Sequence, residues 1–297
     1  MRLISYDLKG QSHFGITSGD TVASLAVLAD AFGQDGSFFA GMAEFLSRGH
    51  VAMEAARELQ RRALRDWSDW IPLSSVHLQC PVPKPSKIVA IGLNYRDHAE
   101  EAHLAIPTQP LFFAKFTSSI NGPMDPVIIP RSDPEIDYEA ELAVVIGKQA
   151  KHVSADDAYD FVAGYMVLND VSARKWQFGD KQWTRGKSCD TFCPAGPWLT
   201  TRDEISDPHH LRVVARLNGR IVQDSDTSNM IFGVPQLIEH ITEAITLEPG
   251  DIIATGTPAG VGIFHKPPSF LKAGDVMEVK IDGLGAIRNT LKGEPID

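Results

Sequence analysis

Cysteine is scarce in this chain: there are three in 297 residues, an odd number that cannot form a closed disulfide framework. Cys189 and Cys193 stand four apart, but no second Cys or His pair completes a zinc site around them. All three, Cys80 included, read as free thiols of a reducing cytoplasm. Long apolar runs are missing as well, and none approaches the ~20 residues a membrane span needs. The opening Met1-Arg2-Leu3-Ile4-Ser5-Tyr6 has no basic stretch leading into an apolar one, so no secretory signal is read and a cytoplasmic protein is expected. Basic residues are in deficit, 28 Lys plus Arg against 38 Asp plus Glu, for a formal charge of −10. A nucleic-acid or anionic-membrane surface needs a basic patch, so neither partner is expected. An anionic small molecule stays open, because a metal or a few local cations can reverse the field inside a pocket. No repeat or low-complexity tract stands out.

What is present is a globular composition, 43% apolar, in two textures. Residues 2–7 and 15–16 read as strands around a turn at Ser18-Gly19-Asp20, and apolar residues three and four apart predict helices over 37–45 and 51–67. Pro81, Pro83 and Pro85 resist both helix and central strand and mark a linker over 80–86. This divides the chain into a small α+β amino-terminal domain, 1–80, and a larger domain, 81–297. The larger one has short apolar runs at 88–91, 111–113, 127–129, 142–146, 161–168, 211–217, 251–254 and 276–281, with helices predicted over 95–102, 155–159 and 233–244. Few long helical patterns alternate with the strands, so the domain is mostly β and not a doubly wound α/β sheet.

The chemistry concentrates at strand ends. In Asp137-Tyr138-Glu139-Ala140-Glu141-Leu142, Glu139 and Glu141 share one face of an extended chain at the mouth of a β-branched run. Two carboxylates that close repel unless a proton or cation lies between them. Taken alone, the stretch also reads as an acidic, solvated strand end. Asp170 stands at the mouth of a second apolar run, and three carboxylates without thiolate or imidazole suit a hard cation such as Mg2+ or Mn2+. His98 and Glu101, three apart on a predicted helix, could pair as an oriented general base or be a solvated surface pair. Gly186-Lys187-Ser188 resembles the end of a phosphate loop, but the first glycine of that motif falls on Lys181, which rejects a nucleotide P-loop. Lys187 could instead face an oxyanion, or be a plain surface lysine. The glycine-rich turn Thr255-Gly256-Thr257-Pro258 permits close backbone approach to a ligand.

Together, Gly92-Leu93-Asn94-Tyr95, Asp137-Tyr138-Glu139-Ala140-Glu141-Leu142, Asn169-Asp170-Val171-Ser172-Ala173-Arg174, Gly186-Lys187-Ser188 and Thr255-Gly256-Thr257-Pro258 resemble the fumarylacetoacetate hydrolase family, in the family's order and over residues 86–292. The resemblance is nearest to the fumarylacetoacetate hydrolase domain-containing proteins and bacterial acylpyruvate hydrolase-like enzymes. It implies a mixed β-sandwich roll behind the small amino-terminal domain, assembled as a homodimer. It also implies Mg2+ or Mn2+ on Glu139, Glu141 and Asp170, with catalytic roles for His98, Glu101 and Lys187. Substrate contacts fall on Arg174, Gln177 and Thr257, and Asp137 is left with a structural role. The activity expected first is metal-dependent hydrolysis of a C–C bond in a 2,4-dioxo acid of the acylpyruvate, fumarylpyruvate or diketo-deoxy-sugar-acid type, through a pyruvate enolate stabilised by the cation. Oxaloacetate decarboxylation or keto–enol tautomerisation at the same site is the alternative. Ureidoglycolate lyase activity and non-catalytic 2-oxo-acid binding rank lower.

Overall fold

A computed structural model describes residues 1–132 and 135–295. Its centre is strand Ala140–Ile146, every residue of which is buried. The strand pairs antiparallel with Val162–Asn169 on one side and with Ile252–Ala254 on the other. Its side chains alternate between two cores: Leu142, Val144 and Ile146 enter one, Ala143 and Val145 the other. A strand covered on both faces has no solvent side to mark with polar residues, which is why it reads as an unbroken apolar run.

The sheet is large and mixed. From Ala140–Ile146 it runs through Ile252–Ala254 and Ile88–Gly92, which pair in parallel, to the edge strand Leu111–Lys115. In the other direction it continues through Val162–Asn169 and Cys193–Thr201 into Arg2–Leu8, Gln11–Ser18, Thr21–Ser24 and Ile71–Pro72. The amino-terminal strands therefore extend the same sheet, with Arg2 opposite Thr200 and Leu3 opposite Leu199. Helices Leu25–Ala31, Met42–Ser47 and Gly49–Asp66 cover one face of it with Leu28, Phe45, Ala52 and Leu59. A five-stranded sheet covers the other face: Arg220–Asp226, Arg212–Leu217, Val276–Ile281, Gly285–Gly293 and Val127–Ile129, with helix Val234–Ala244 beside it. The fold is α+β and mostly β, a sheet-on-sheet roll with helices at the amino-terminal end.

Helix 51–67 is found as Gly49–Asp66, but the predicted helix 37–45 is split into a 3-10 turn, Gly36–Phe39, and helix Met42–Ser47. Gly41 lies at the break and caps the second piece. The helix expected over 155–159 is a 3-10 helix, Ala155–Phe161, started by the Ser154 hydroxyl accepting from the Asp157 amide. The 80–86 stretch does not loop free: the Ser5 hydroxyl donates to the Pro81 carbonyl, and the Ser86 hydroxyl donates to Asp251. Among the described residues no helix is long and apolar enough to cross a membrane, and the three cysteines are free thiols.

Candidate active site

The mouth of strand Ala140–Ile146 is where the predicted residues meet. The Asp170 amide donates to the Glu139 carbonyl at 2.9 Å, and the Glu139 amide donates to the Asn169 side chain at 3.0 Å, so the acid ending one strand is clamped beside the acid that opens its neighbour. Glu141 is two residues along on the same face, and one oxygen from each of Glu139, Glu141 and Asp170 lies within 4.8 Å of the others, all buried. The third wall is the turn after Ile252–Ala254: the Gly256 amide donates to Glu141 Oε2 at 2.8 Å. Gly256 has φ +98°, and a Cβ there would come within 2.8 Å of the Asn94 Cβ, so the turn requires glycine. Asn94 in turn clamps this corner, donating to the carbonyls of Thr255 and Phe232 and accepting from the Phe232 amide.

Three buried cations face these acids. Lys187 Nζ donates to Glu139 Oε2 at 2.7 Å and to Asp170 Oδ2 at 2.9 Å. Arg174 donates to Glu139 Oε1 at 2.6 Å, to Asp137 Oδ2 at 2.9 Å and to Gln177 Oε1 at 2.9 Å. Lys115, which the sequence did not single out, donates to Asp170 Oδ1 at 2.6 Å and to the Lys187 carbonyl, from a side chain with no exposure. Its signal was present: Leu111, Phe113 and Lys115 alternate on one face of their strand, and the first two line the cavity described below.

Counting Asp137, four buried carboxylates meet three buried cations among the described residues. The surplus negative charge falls on Glu141. Burial, then the charges of Asp170 and Glu139, push its carboxyl well above the usual range. Glu139 behaves oppositely: burial alone would raise it, but Lys187 and Arg174 outweigh that and hold it at about 2. Glu141 Oε1 is buried and has no hydrogen-bond partner among the described residues. A hard cation fits there: it would meet three oxygen ligands, satisfy that orphaned oxygen and offset the surplus charge. Asp137 serves the frame: it accepts from Arg174 and from the Gly262 and Ile263 amides, at 2.7 and 3.0 Å.

A cavity of about 230 Å³ opens over this cluster. Glu139, Arg174, Gln177, Lys187 and Thr257 line its inner end, and His98 stands at its side. His98 and Glu101 lie on helix Arg96–Glu101, with Nδ1 3.4 Å from Glu101 Oε2. Glu101 is itself fixed by the Gly260 amide, which donates to both its oxygens at 2.9 and 3.1 Å. Thr257 Oγ1 accepts from Gln223 Nε2 at 2.8 Å; because Gln223 Oε1 already accepts from the Ala140 amide, the amide orientation is fixed and the threonine proton is left to donate elsewhere. All nine residues picked from the sequence therefore lie in one neighbourhood, six of them lining the cavity, with Glu141, Asp170 and Glu101 behind.

The chain is similar in sequence and fold to known proteins. Residues 87–292 match the family model described as fumarylacetoacetate (FAA) hydrolase C-terminal. The mitochondrial oxaloacetate tautomerase Fahd2a of Rattus norvegicus is 46% identical over 292 residues, covering 97% of this chain and 91% of the rat protein. Among solved structures, the 2-hydroxyhepta-2,4-diene-1,7-dioate isomerase of Mycobacterium marinum superposes with a TM-score of 0.77 at 32% identity, covering the whole of both chains. The maleylpyruvate hydrolase of Sphingobium sp. SYK-6, crystallised with manganese(II) and pyruvate, gives 0.81 at 33% identity over 99% of this chain and all of the hydrolase. These relatives overturn the cytoplasmic expectation, since the rat protein is named as mitochondrial. That expectation rested on the free thiols and on a missing apolar leader; mitochondrial transit segments are amphipathic and Arg-rich instead, so the missing leader had no bearing on that compartment.

Proposed function

The chain belongs to the fumarylacetoacetate hydrolase family of enzymes, and from that premise we propose that it enolises a small 2-oxo acid, with keto–enol tautomerisation of oxaloacetate as its reaction. The observation that carries the proposal is the buried carboxylate trio, one of its oxygens unpartnered, beneath a cavity that also holds a lysine and a histidine. The order of the two activities differs from the sequence expectation, which placed C–C hydrolysis first. An intact His98–Glu101 pair suits water activation, but it suits removal of a carbon-bound proton equally well, and the rat relative is named for tautomerisation.

Glu139, Glu141 and Asp170 would hold the cation, Mg2+ or Mn2+. When bound, it supplies Lewis-acid stabilisation of negative charge on the substrate's oxo and carboxylate oxygens. Arg174, Gln177 and the free Thr257 proton give the cavity its donors for the carboxylate. With Nδ1 directed at Glu101, His98 keeps Nε2 as the free base. This nitrogen takes a proton from C3; the C–H pair becomes the C2–C3 double bond, and the carbonyl pair moves onto the 2-oxygen. Lys187 donates to that oxygen and hands it a proton, and solvent resets both groups. Such a preorganised donor lowers the barrier by about 3–4 kcal/mol.

C–C hydrolysis stays as the second proposal, supported by the maleylpyruvate hydrolase neighbour. Purified protein with Mg2+ should be offered enol-oxaloacetate and acetylpyruvate in parallel, with products resolved by NMR. Tautomerisation of oxaloacetate with acetylpyruvate intact is the expected outcome. Rapid release of acetate and pyruvate with oxaloacetate untouched would restore hydrolysis to first place. The homodimer implied by the resemblance is part of the proposal: the chain should sediment at twice its 32.5 kDa, and a monomer would remove it.

A further inference from the structure

The cavity has two halves of different chemistry, and the proposed reaction uses only the inner one. Its outer wall is Leu104, Leu111, Phe113, Phe178, Trp183 and Phe264. Much of this wall is built to be firm. Phe113 and Trp183 meet edge to face, centroids 5.3 Å apart at 71°. The indole lies so close on Gly92 that a Cβ there would come within 2.6 Å of the ring. The Phe264 ring rests 5.8 Å from that of His98, on a turn held by Asp137 through the Gly262 and Ile263 amides. At the rim, Leu104, Leu111 and Phe178 are 57%, 50% and 55% exposed, a large apolar presentation for residues around a polar site.

Among the described residues, no charged group lines this outer half. The ionised side chains of the cavity lining, Glu139, Arg174 and Lys187, all belong to the inner end, already tied to one another or to Asp137 and Asp170. The Arg96 guanidinium, near in sequence to His98, is turned to the carbonyls of Met230 and Ser228. Lys187 Nζ lies 5.4 Å from the Phe113 ring centroid but is already held by Glu139 and Asp170, so a carboxylate in the outer half finds no unengaged cation among the described lining residues, whereas an apolar group there gains from burial.

We infer that the outer half is a subsite for an uncharged, apolar substituent at the far end of the substrate. The enzyme then accepts 2-oxo and 2,4-dioxo acids with an alkyl or aryl tail and discriminates against those carrying a second carboxylate at that distance. The inference rests on the proposed 2-oxo-acid chemistry of the inner end. Oxaloacetate is compatible with it, because its second carboxylate is attached to C3 and stays in the inner half.

Oxamates test this without turnover, since their amide resists C–C cleavage. Mn2+-loaded protein should be titrated calorimetrically with oxamate, N-phenyloxamate and N-(2-carboxyethyl)oxamate. N-phenyloxamate should bind about tenfold more tightly than oxamate, and the carboxyethyl compound no more tightly than oxamate. Phe178→Arg, which places a cation at the exposed rim, should raise affinity for the carboxyethyl compound several-fold while weakening the phenyl one. If oxamate binds but the phenyl group adds nothing, or the carboxyethyl compound is the tighter ligand, the apolar subsite is wrong and the inner-site chemistry stands. If Mn2+ binds and oxamate does not, the 2-oxo-acid proposal itself fails and takes the subsite with it.

Discussion

Glu141→Gln should leave a folded protein that no longer responds to Mg2+ or Mn2+. The amide keeps an acceptor for the Gly256 amide and fits the same buried space, so the metal-free protein should lose little stability. It removes a carboxylate whose charge is opposed by burial and by Asp170 and Glu139, which is the charge a cation would offset. In the native chain a cation at 100 times its dissociation constant should add about 2.7 kcal/mol to stability, read as a rise in the thermal midpoint. In the variant that rise should vanish, and turnover should fall about a thousandfold, the scale of a Lewis-acid contribution of several kcal/mol. An unchanged midpoint shift would move the metal elsewhere.

The second large effect is expected at Lys187. Lys187→Met should lower kcat by about 100- to 1000-fold, the cost of removing one oxyanion donor, with a much smaller change in KM. Metal affinity supplies the contrast. Lys187 Nζ holds Glu139 and Asp170, so its loss frees oxygens that a cation can use, and Mn2+ should bind the variant at least as tightly as the native chain. Calorimetry reads the one and steady-state kinetics the other. Weaker Mn2+ binding together with retained kcat would make Lys187 a structural support and not a proton donor.

Much of the site could be read from the chain because its geometry is local. Glu139 and Glu141 are two apart in an extended segment, Asp170 directly follows a buried strand, and backbone hydrogen bonds between the two strand ends bring the three together. The His98–Glu101 pair needed only the three-residue spacing of a helix. Lys115 was missed because a lysine after four apolar residues looks like the strand's arrival at solvent; only the packing of Asp170 and Lys187 against that edge strand buries it. Strand Cys193–Thr201 is not among the apolar runs because Pro194, Gly196 and Pro197 interrupt the strand pattern, although the segment lies between Arg2–Leu8 and Val162–Asn169. Helix Leu25–Ala31 is only seven residues long, with a cap from Ser24 as its main local sign. The apolar outer wall of the cavity could not be read at all, since Leu104, Phe113, Phe178, Trp183 and Phe264 come from segments far apart in sequence.

The central claim is enolisation by His98 and Lys187 above a cation held on Glu139, Glu141 and Asp170, and proton exchange at C3 reports it without any carbon–carbon or carbon–oxygen bond being cleaved. Pyruvate or 2-oxobutanoate should be incubated with the protein in D2O and followed by proton NMR. Deuterium should enter C3 rapidly with Mg2+ or Mn2+ and at the background rate with EDTA, with Glu141→Gln and with Lys187→Met. Exchange that persists undiminished in EDTA, or that never exceeds background in the metal-loaded native enzyme, would contradict it.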